Sequence, residues 1–152
     1  MQLDRPADGK YNEGMVTEQD SAVKGLLQDS RVIAVVGLSP DNEKPSNMVA
    51  RYLKSKGYRI IPVNPGQDEI LGEKCYKSLR DIREKVDVVD IFMRAEKVVP
   101  FVEDAVKLKP RAIWLQLGIR NEEAKEVAEK NRIMFVMDKC VKQEHARLLP
   151  TL

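Results

Sequence analysis

The sequence predicts an α/β fold in which about five parallel strands form a doubly wound sheet between two layers of helices. Short apolar runs rich in valine and isoleucine recur along the chain, and segments with helical periodicity separate them. Because strand and helix alternate throughout, the strands are predicted to be parallel, with right-handed crossovers. We expect the strand order 3-2-1-4-5, in which the binding crevice opens between strands one and four and is flanked by the loops at Gly37 and Gly118.

The predicted elements follow one another without a linker or an internal repeat. Strands are short apolar runs, and most helices begin near a residue whose side chain can accept hydrogen bonds from free helix N–H groups. Pro100 is compatible with its helix only because it falls in the first turn. The predicted order is a helix begun by a capping box at 17–20, a strand at 31–36, a helix from Ser46 to Gly57, a strand at 58–63, a short helix capped by Ser78, a strand at 86–92, a helix at 96–109, a strand at 111–117 with Trp114 in the core, a helix from Asn121 to Lys130 and a strand at 133–137.

Length and composition exclude several classes of protein. The 152 residues fit one domain, and we expect a tail at residues 1–16 followed by a single domain at residues 17–152. A net charge of +2 provides no broad basic surface for nucleic acid. No apolar run approaches the ~20 residues that span a bilayer, and the amino terminus lacks a signal-peptide pattern. We therefore expect a cytoplasmic protein with no membrane partner.

The loop after the first strand argues against a conventional dinucleotide site. That site needs Gly-x-Gly-x-x-Gly so that the backbone can approach a pyrophosphate, whereas the sequence at 37–42 is Gly-Leu-Ser-Pro-Asp-Asn. An acidic residue that would bind a ribose hydroxyl is also missing after the second strand, where Asn64 and Pro65 stand. NAD is therefore disfavoured as the ligand, although an NAD-binding redox protein stays an alternative.

The same loop has features that suit another anion. Gly37 allows close backbone approach, Ser39 supplies a hydroxyl, and Lys44 precedes Ser46 at the start of a helix. Arg94 directly follows the third strand, where its planar guanidinium could bind phosphate. On the loop alone, an ordinary strand-to-helix turn with a capping serine and a solvated lysine is the better explanation of the loop features.

Five motifs, in this order, resemble a known family. They are Val-Gly-Leu-Ser at 36–39 with a basic residue and Pro-Ser at 44–46; Ile-Pro-Val-Asn-Pro at 61–65 leading to Glu-Ile-Leu-Gly at 69–72; 87–92 followed by Arg94; Trp-Leu-Gln-Leu-Gly at 114–118; and Met-Asp-Lys-Cys at 137–140 leading to Glu-His at 144–145. Together they resemble the small stand-alone CoA-binding proteins, whose Rossmann-like fold is shared with the CoA-binding domain of acyl-CoA synthetase α subunits such as that of succinyl-CoA synthetase. Lys44 stands where many members have arginine, and Met93 separates Phe92 from Arg94.

The resemblance implies a coenzyme A site and a set of residues that form it. It implies that Asn64 and Pro65 contact the nucleotide and that Met93 and Arg94 contact its adenine or phosphate end. Gln116 is expensive to bury unless its amide is hydrogen-bonded, so it should either face the pocket or satisfy neighbouring backbone groups. We favour the pocket, with Gly118 at the lip where the pantetheine arm leaves. The predicted cofactor-binding residues are Gly37, Leu38, Ser39, Lys44, Ser46, Asn64, Pro65, Met93, Arg94, Gln116 and Gly118.

Two functions compete under this resemblance. The first is a binding module for CoA or an acyl-CoA that has no catalysis of its own, since no acid, base or nucleophile constellation is apparent. The second is a CoA-dependent enzyme component, similar to acyl-CoA synthetase, that acts with partners. Cys140 and His145 are five positions apart on a helix and should not form a catalytic dyad, but Cys140 could exchange with a CoA disulfide. No metal site is expected, and the sequence leaves monomer and homodimer open.

Overall fold

The computed structural model describes residues 16–150, so nearly all of the predicted tail and residues 151–152 lie outside the described part. This range contains five α-helices and seven strands, with 3-10 turns at Leu79–Asp81 and Ala95–Lys97. The helices are α1 (Glu18–Asp29), α2 (Pro45–Ser55), α3 (Val98–Lys107), α4 (Glu122–Lys130) and α5 (Val141–Leu148). The strands are β1 (Val32–Val36), β2 (Arg59–Val63), β3 (Glu69–Ile70), β4 (Glu73–Lys74), β5 (Val88–Ile91), β6 (Ala112–Leu115) and β7 (Met134–Val136).

The main sheet confirms the predicted class but not the predicted strand order. Its five strands are all parallel and lie in the order β2-β1-β5-β6-β7. Numbered along the chain, this is 2-1-3-4-5, so the expected order 3-2-1-4-5 was wrong. The third parallel strand, β5, pairs with β1, with Ile33 opposite Val88.

The outer edge of β2 explains why β5 does not pair there. The segment at Tyr76 occupies this edge: its N–H donates to the carbonyl of Pro62 at 2.9 Å, and its carbonyl accepts from Asn64 N at 2.9 Å. Pro62 has no N–H to offer a second strand, which is why proline is tolerated mainly in edge strands. β2 is therefore an edge strand of the main sheet, and the crevice lies elsewhere than predicted.

Short antiparallel strands β3 and β4 form a hairpin that the sequence analysis did not anticipate. Their two-residue turn consists of Leu71 and Gly72, both with positive φ, at 56° and 75°. Such a turn usually carries Asn-Gly or Asp-Gly, so leucine at its first position gives no turn signal. The Leu71 side chain is partly buried and packs against the apolar core.

Local capping predictions were mostly confirmed. The Thr17 hydroxyl accepts from Asp20 N at 2.9 Å, completing a capping box, and Asn121 Oδ1 accepts from Ala124 N at 2.9 Å. Ser46 is the exception. The N-cap of α2 is Lys44, and the Ser46 hydroxyl, already inside the helix, accepts from Ser39 N at 3.0 Å.

Two apolar clusters cover the two faces of the sheet, because alternate strand residues point to opposite faces. Ile33, Val35 and Trp114 lie on the face covered by α1, α2 and α5, and Ala34 and Val36 lie on the face covered by α3 and α4. Trp114 is fully buried, as predicted, and its indole N–H donates to the carbonyl of Lys139 at 2.8 Å. No helix within residues 16–150 is long and apolar enough to cross a membrane.

Candidate ligand site at the carboxyl ends of the strands

The crevice of this sheet opens between β1 and β5. From β1 the chain proceeds to β2 on one side, whereas β5, β6 and β7 continue on the other side. Ligands of doubly wound sheets bind at this switch point, outside the carboxyl ends of the strands. A cavity of about 410 Å³ lies there, within the range of roughly 300–1,000 Å³ typical of small-molecule sites. Its lining residues are Gly37, Ser39, Lys44, Pro45, Ser46, Phe92, Met93, Arg94 and Ile119.

Gly37 sets the close approach of the two strand ends. Its φ of 80° lies in the left-handed region that favours glycine. A Cβ built on Gly37 would collide with the carbonyl oxygen of Phe92 and lie 3.2 Å from the Met93 sulfur. The absence of a side chain therefore allows the backbone after β1 and the backbone after β5 to face one another across the crevice.

The loop from β1 to α2 is held by its own polar side chains. The Ser39 hydroxyl accepts from Asp41 N at 3.0 Å, and Asp41 Oδ1 accepts from Glu43 N at 2.9 Å. The Ser46 hydroxyl accepts from Ser39 N and so links the two ends of the loop. This loop shape depends on contacts within residues 39–46 and orients the amino end of α2 toward the cavity.

Two residues of α2 that were not predicted from the sequence stabilise this loop through hydrogen bonds. Asn47 is buried, and its Nδ2 donates to the carbonyl of Ser39 at 2.8 Å. Arg51 Nε donates to Asn47 Oδ1 at 2.9 Å, and its Nη2 donates to the carbonyl of Asn42 at 2.7 Å. An asparagine on the inner face of a helix, four residues before an arginine, was the available signal.

The cavity has a positive rim. Lys44 is the exposed N-cap of α2, and the first turn of this helix has no acidic residue to offset its dipole. Arg94 follows β5 on the opposite side and is also exposed. Its Nη1 lies 3.9 Å from Glu96 Oε2, and exposed ion pairs of this kind contribute little to stability. Two cations and a helix amino terminus therefore border one apolar-walled cavity.

Several predicted site residues lie outside the cavity lining. Leu38 is fully buried in the core beneath the loop, and its carbonyl accepts from Asn64 Nδ2 at 2.9 Å. Asn64 Oδ1 accepts from Gly66 N at 2.8 Å, so this side chain links the β2 turn to the Gly37 loop. Pro65 is exposed beyond that turn. Gly118 is exposed with φ 86°, and its N–H donates to Asp138 Oδ1 at 2.7 Å.

Gln116 is buried and its amide Nε2 donates to Asp90 Oδ1 inside the sheet. A buried amide needs a hydrogen-bond partner, which is why Gln116 was expected to face the pocket, and Asp90 supplies that partner. Gln116 does not line the cavity. Asp90 is fully buried, and burial raises the pKa of its carboxyl to about 7, although the Gln116 bond acts in the opposite direction. Its Oδ2 has no hydrogen-bond partner within residues 16–150.

Cys140 and His145 do not form a dyad in the structure. Cys140 is the partly buried N-cap of α5, while the ring Nδ1 of His145 is 2.8 Å from the hydroxyl of Tyr52. Both cysteines are free thiols, and burial raises the pKa of Cys75. Among the described residues no group of three or more potential ligands could hold a metal ion.

A family model described as a CoA binding domain matches residues 31–146. The chain belongs to the CoA-binding domain family. This CoA-binding domain is 38% identical over 132 residues to Uncharacterized protein YneT of Bacillus subtilis, a match that covers 87% of this chain and 98% of that protein. A solved hypothetical protein from Pyrococcus horikoshii superposes with a TM-score of 0.84 at 38% identity, covering 98% of this chain and 99% of that one.

A larger relative shows where such a domain also occurs. The CoA-binding domain is 36% identical over 111 residues to Acetate--CoA ligase [ADP-forming] II of Archaeoglobus fulgidus. The match covers 70% of this chain but 16% of the ligase. The predicted family and the Rossmann-like class of the CoA-binding domain are thus confirmed.

Proposed function

We propose that the chain binds coenzyme A, or an acyl-CoA, in the cavity at the switch point between β1 and β5. The observation that carries this proposal is the cavity lining, which includes Gly37, Ser39, Lys44, Ser46, Met93 and Arg94 from the set predicted on sequence. Membership of the CoA-binding domain family supports the choice of ligand.

The phosphates of the coenzyme are assigned to the positive rim. Lys44 and the amino terminus of α2 offer a point charge and oriented N–H groups on one side. Arg94 offers a planar fork on the other side, suited to two phosphate oxygens. The lysine and arginine line the same cavity, so one phosphate-rich group could contact both.

The apolar part of the lining is assigned to the adenine ring and the pantetheine arm. Phe92, Met93 and Pro45 form an apolar wall beside the Gly37 loop. Ile119 extends this wall toward Leu117, which is 59% exposed although it is a large apolar residue. An arm that leaves the cavity past Ile119 would cover Leu117, which accounts for an otherwise unexplained exposed side chain.

The test is calorimetric titration of the full-length, ligand-stripped chain with CoA, dephospho-CoA and NAD at one salt concentration. We expect one-to-one binding of CoA and no heat with NAD. Dephospho-CoA lacks the 3′-phosphate, so its binding should be weaker by about tenfold if that phosphate forms a charge-assisted hydrogen bond. Absence of CoA heat contradicts the proposal, and NAD heat without CoA heat replaces it with the dinucleotide alternative.

Matched variants locate the site. Lys44→Met and Arg94→Met each remove one charge of the rim and should each weaken CoA binding, with a smaller dependence on salt than in the wild type. Lys107→Met removes one exposed charge from the last turn of α3, outside the cavity lining, and should leave the affinity unchanged. Equal effects of all three variants would indicate general electrostatics and contradict the assigned site.

The likeness to an ADP-forming acetate--CoA ligase favours a second candidate, a CoA-binding component of a ligase that acts with partners. The two candidates differ in turnover. Incubation of the chain alone with CoA, acetate, ATP and Mg²⁺ should leave the free CoA thiol concentration constant. Consumption of that thiol would contradict a binding module without catalysis.

A further inference from the structure

A second cavity, of about 350 Å³, lies at the amino-terminal end of the sheet, opposite the candidate coenzyme site. Ser30 and Arg31 directly precede β1, and Gly57 and Tyr58 directly precede β2, so these four residues bring the cavity to the beginnings of both strands. His145 of α5 closes one side. The described residues that line it are Leu27, Gln28, Ser30, Arg31, Lys56, Gly57, Tyr58 and His145.

Several hydrogen-bond acceptors around this cavity are already used. The Tyr58 hydroxyl donates to the carbonyl of Leu27 at the end of α1. Arg31 Nη1 donates to the carbonyls of Gln28 and Ser30, at 3.0 Å each. In the last turn of α2, the backbone N–H of Lys56 donates to carbonyls of the preceding turn. Helix carboxyl ends normally repel anions, but here their carbonyls are paired.

Hydrogen-bond donors, in contrast, are in surplus. The Ser30 hydroxyl is fully buried and has no hydrogen-bond partner within residues 16–150. A buried hydroxyl without a partner is unfavourable, and a hydrogen bond to an oxygen in the cavity would remove that cost. In the same range the guanidinium of Arg31 donates through Nη1 alone, so Nε and Nη2 stay available.

His145 adds a third donor to the same wall. Its Nδ1 is 2.8 Å from the Tyr52 hydroxyl, and burial raises the pKa of that phenol, which keeps its proton. The phenol can donate to Nδ1, and in that tautomer the neutral imidazole carries its proton on Nε2. The cation of Lys56 lies close enough to act on the ring, since burial and then the Lys56 charge lower the pKa of His145.

We propose that this cavity binds a small oxyanion of the phosphate or carboxylate type, held by Arg31, the Ser30 hydroxyl and His145. Among residues 16–150 the lining contains the basic side chains of Arg31 and Lys56 and no carboxylate, a composition that suits an anion. A hydroxyl, a guanidinium and an imidazole N–H can each donate to a different oxygen of one tetrahedral or planar group. The site is independent of the coenzyme proposal, because the two cavities share no residue.

The sole histidine of the chain makes a direct test possible. In the full-length protein labelled with ¹³C-histidine, the two ring C–H signals belong to His145 alone. Titration with inorganic phosphate, at constant ionic strength and pH 7.5, should shift these signals along a saturable curve. Acetate titrated in parallel separates the two anion types. A response to either probe supports the site, and absence of a saturable response to both overturns it.

Three variants assign the donors. Arg31→Met keeps the aliphatic stem and should weaken binding about tenfold or more, as expected for loss of a charge-assisted hydrogen bond. Arg83→Met is the matched control, because Arg83 Nη1 also donates to the carbonyl three residues earlier but Arg83 does not line the cavity. Equal affinities of wild type and Arg31→Met would overturn the assignment.

Ser30→Ala separates binding from folding. In the absence of phosphate, removal of this unpaired hydroxyl should leave the unfolding midpoint unchanged or raise it. The increase in midpoint that phosphate gives the wild type should be smaller in this variant, since bound ligand stabilises by mass action. An identical phosphate-induced increase in both proteins would exclude the hydroxyl from the site.

Discussion

The amide of Gln116 donates to the carboxyl of Asp90 inside the sheet, and the second carboxyl oxygen of Asp90 has no partner within residues 16–150. Parallel pairing of β5 and β6 places Asp90 opposite Trp114, two residues before Gln116. One neutral amide cannot replace the hydration of a carboxylate. The Asp90 carboxyl therefore stays protonated at pH values well above its ordinary pKa. The central strand of the sheet therefore contains a titrating group near neutral pH.

Asp90 should make the stability of the protein fall as pH rises. Its pKa is 3.8 in an ordinary setting and about 7 in the folded chain, so the folded state holds a proton that the unfolded state has lost. The stabilisation is complete below pH 3.8 and is lost as pH rises through about 7. The free energy of unfolding can be measured with denaturant at several pH values from 5 to 8. At each higher pH, that of Asp90→Asn should increase relative to that of the wild type.

The exposed Asp81→Asn variant is the matched control for Asp90 and should follow the wild-type pH profile. A constant difference in unfolding free energy between Asp90→Asn and wild type across this range would mean that the carboxyl does not titrate there.

Gly37→Ala should damage both the fold and the coenzyme site. The new Cβ meets the carbonyl of Phe92 and also adopts a φ that disfavours side chains. Gly72→Ala is the control, because Gly72 has a similar φ of 75° but nothing within 4 Å of an added Cβ. Both variants lose about 1–2 kcal/mol for the left-handed conformation. Gly37→Ala should lose about 1–3 kcal/mol more through overpacking, measured by chemical denaturation.

Calorimetry distinguishes the two glycine variants further. Separation of the strand ends at Gly37 should weaken CoA binding, whereas Gly72→Ala should bind CoA as the wild type does. Equal stability and equal CoA affinity of the two variants would show that the contact between Gly37 and Phe92 is not limiting.

Local signals were read correctly from the sequence because both partners lie within a few residues. The hydroxyl of Thr17 and the amide oxygen of Asn121 each accept from the backbone N–H three residues later, and both caps were predicted. The runs around Val32–Val36 and Arg59–Val63 were also identified as strands, since apolar β-branched residues pack well in a buried sheet.

Features that depend on distant pairing were not predictable in the same way. β5 pairs with β1, because the Tyr76 segment occupies the outer edge of β2. Hydrophobic periodicity does not indicate which of these two edges receives a strand. Gln116 finds its partner 26 residues away, and His145 finds Tyr52 93 residues away. A burial cost can be recognised in the sequence, but the group that meets it depends on the register and packing of the folded chain.

The Asn47 side chain should determine the shape of the loop that borders the coenzyme site. Asn47→Ala removes the bond to the Ser39 carbonyl and leaves Arg51 Nε without its acceptor. We expect a loss of about 1–3 kcal/mol in unfolding free energy, with weaker CoA binding. Ser55→Ala, which removes an exposed hydroxyl bond from the same helix, should change stability by less than about 0.5 kcal/mol. Wild-type CoA affinity in Asn47→Ala would show that the site does not need this support.

His145 should give the opposite pH dependence to Asp90. Burial and the charge of Lys56 lower its pKa below the ordinary value of 6.5, so the unfolded state takes up a proton before the folded state does. The stabilisation is present above pH 6.5 and is lost as pH falls through the folded pKa. Titration of the ring signals by NMR in phosphate-free buffer should report this lowered pKa directly.

Unfolding of Asp90→Asn between pH 8 and pH 5 isolates the histidine contribution, because that variant lacks the carboxyl that titrates near neutrality. Its free energy of unfolding should decrease as the pH is lowered. Tyr52→Phe should lower the free energy of unfolding by about 1 kcal/mol at pH 8, because the hydrogen bond to His145 Nδ1 is lost. A measured His145 pKa at or above 6.5 would contradict both the burial of the ring and the direction of this pH dependence.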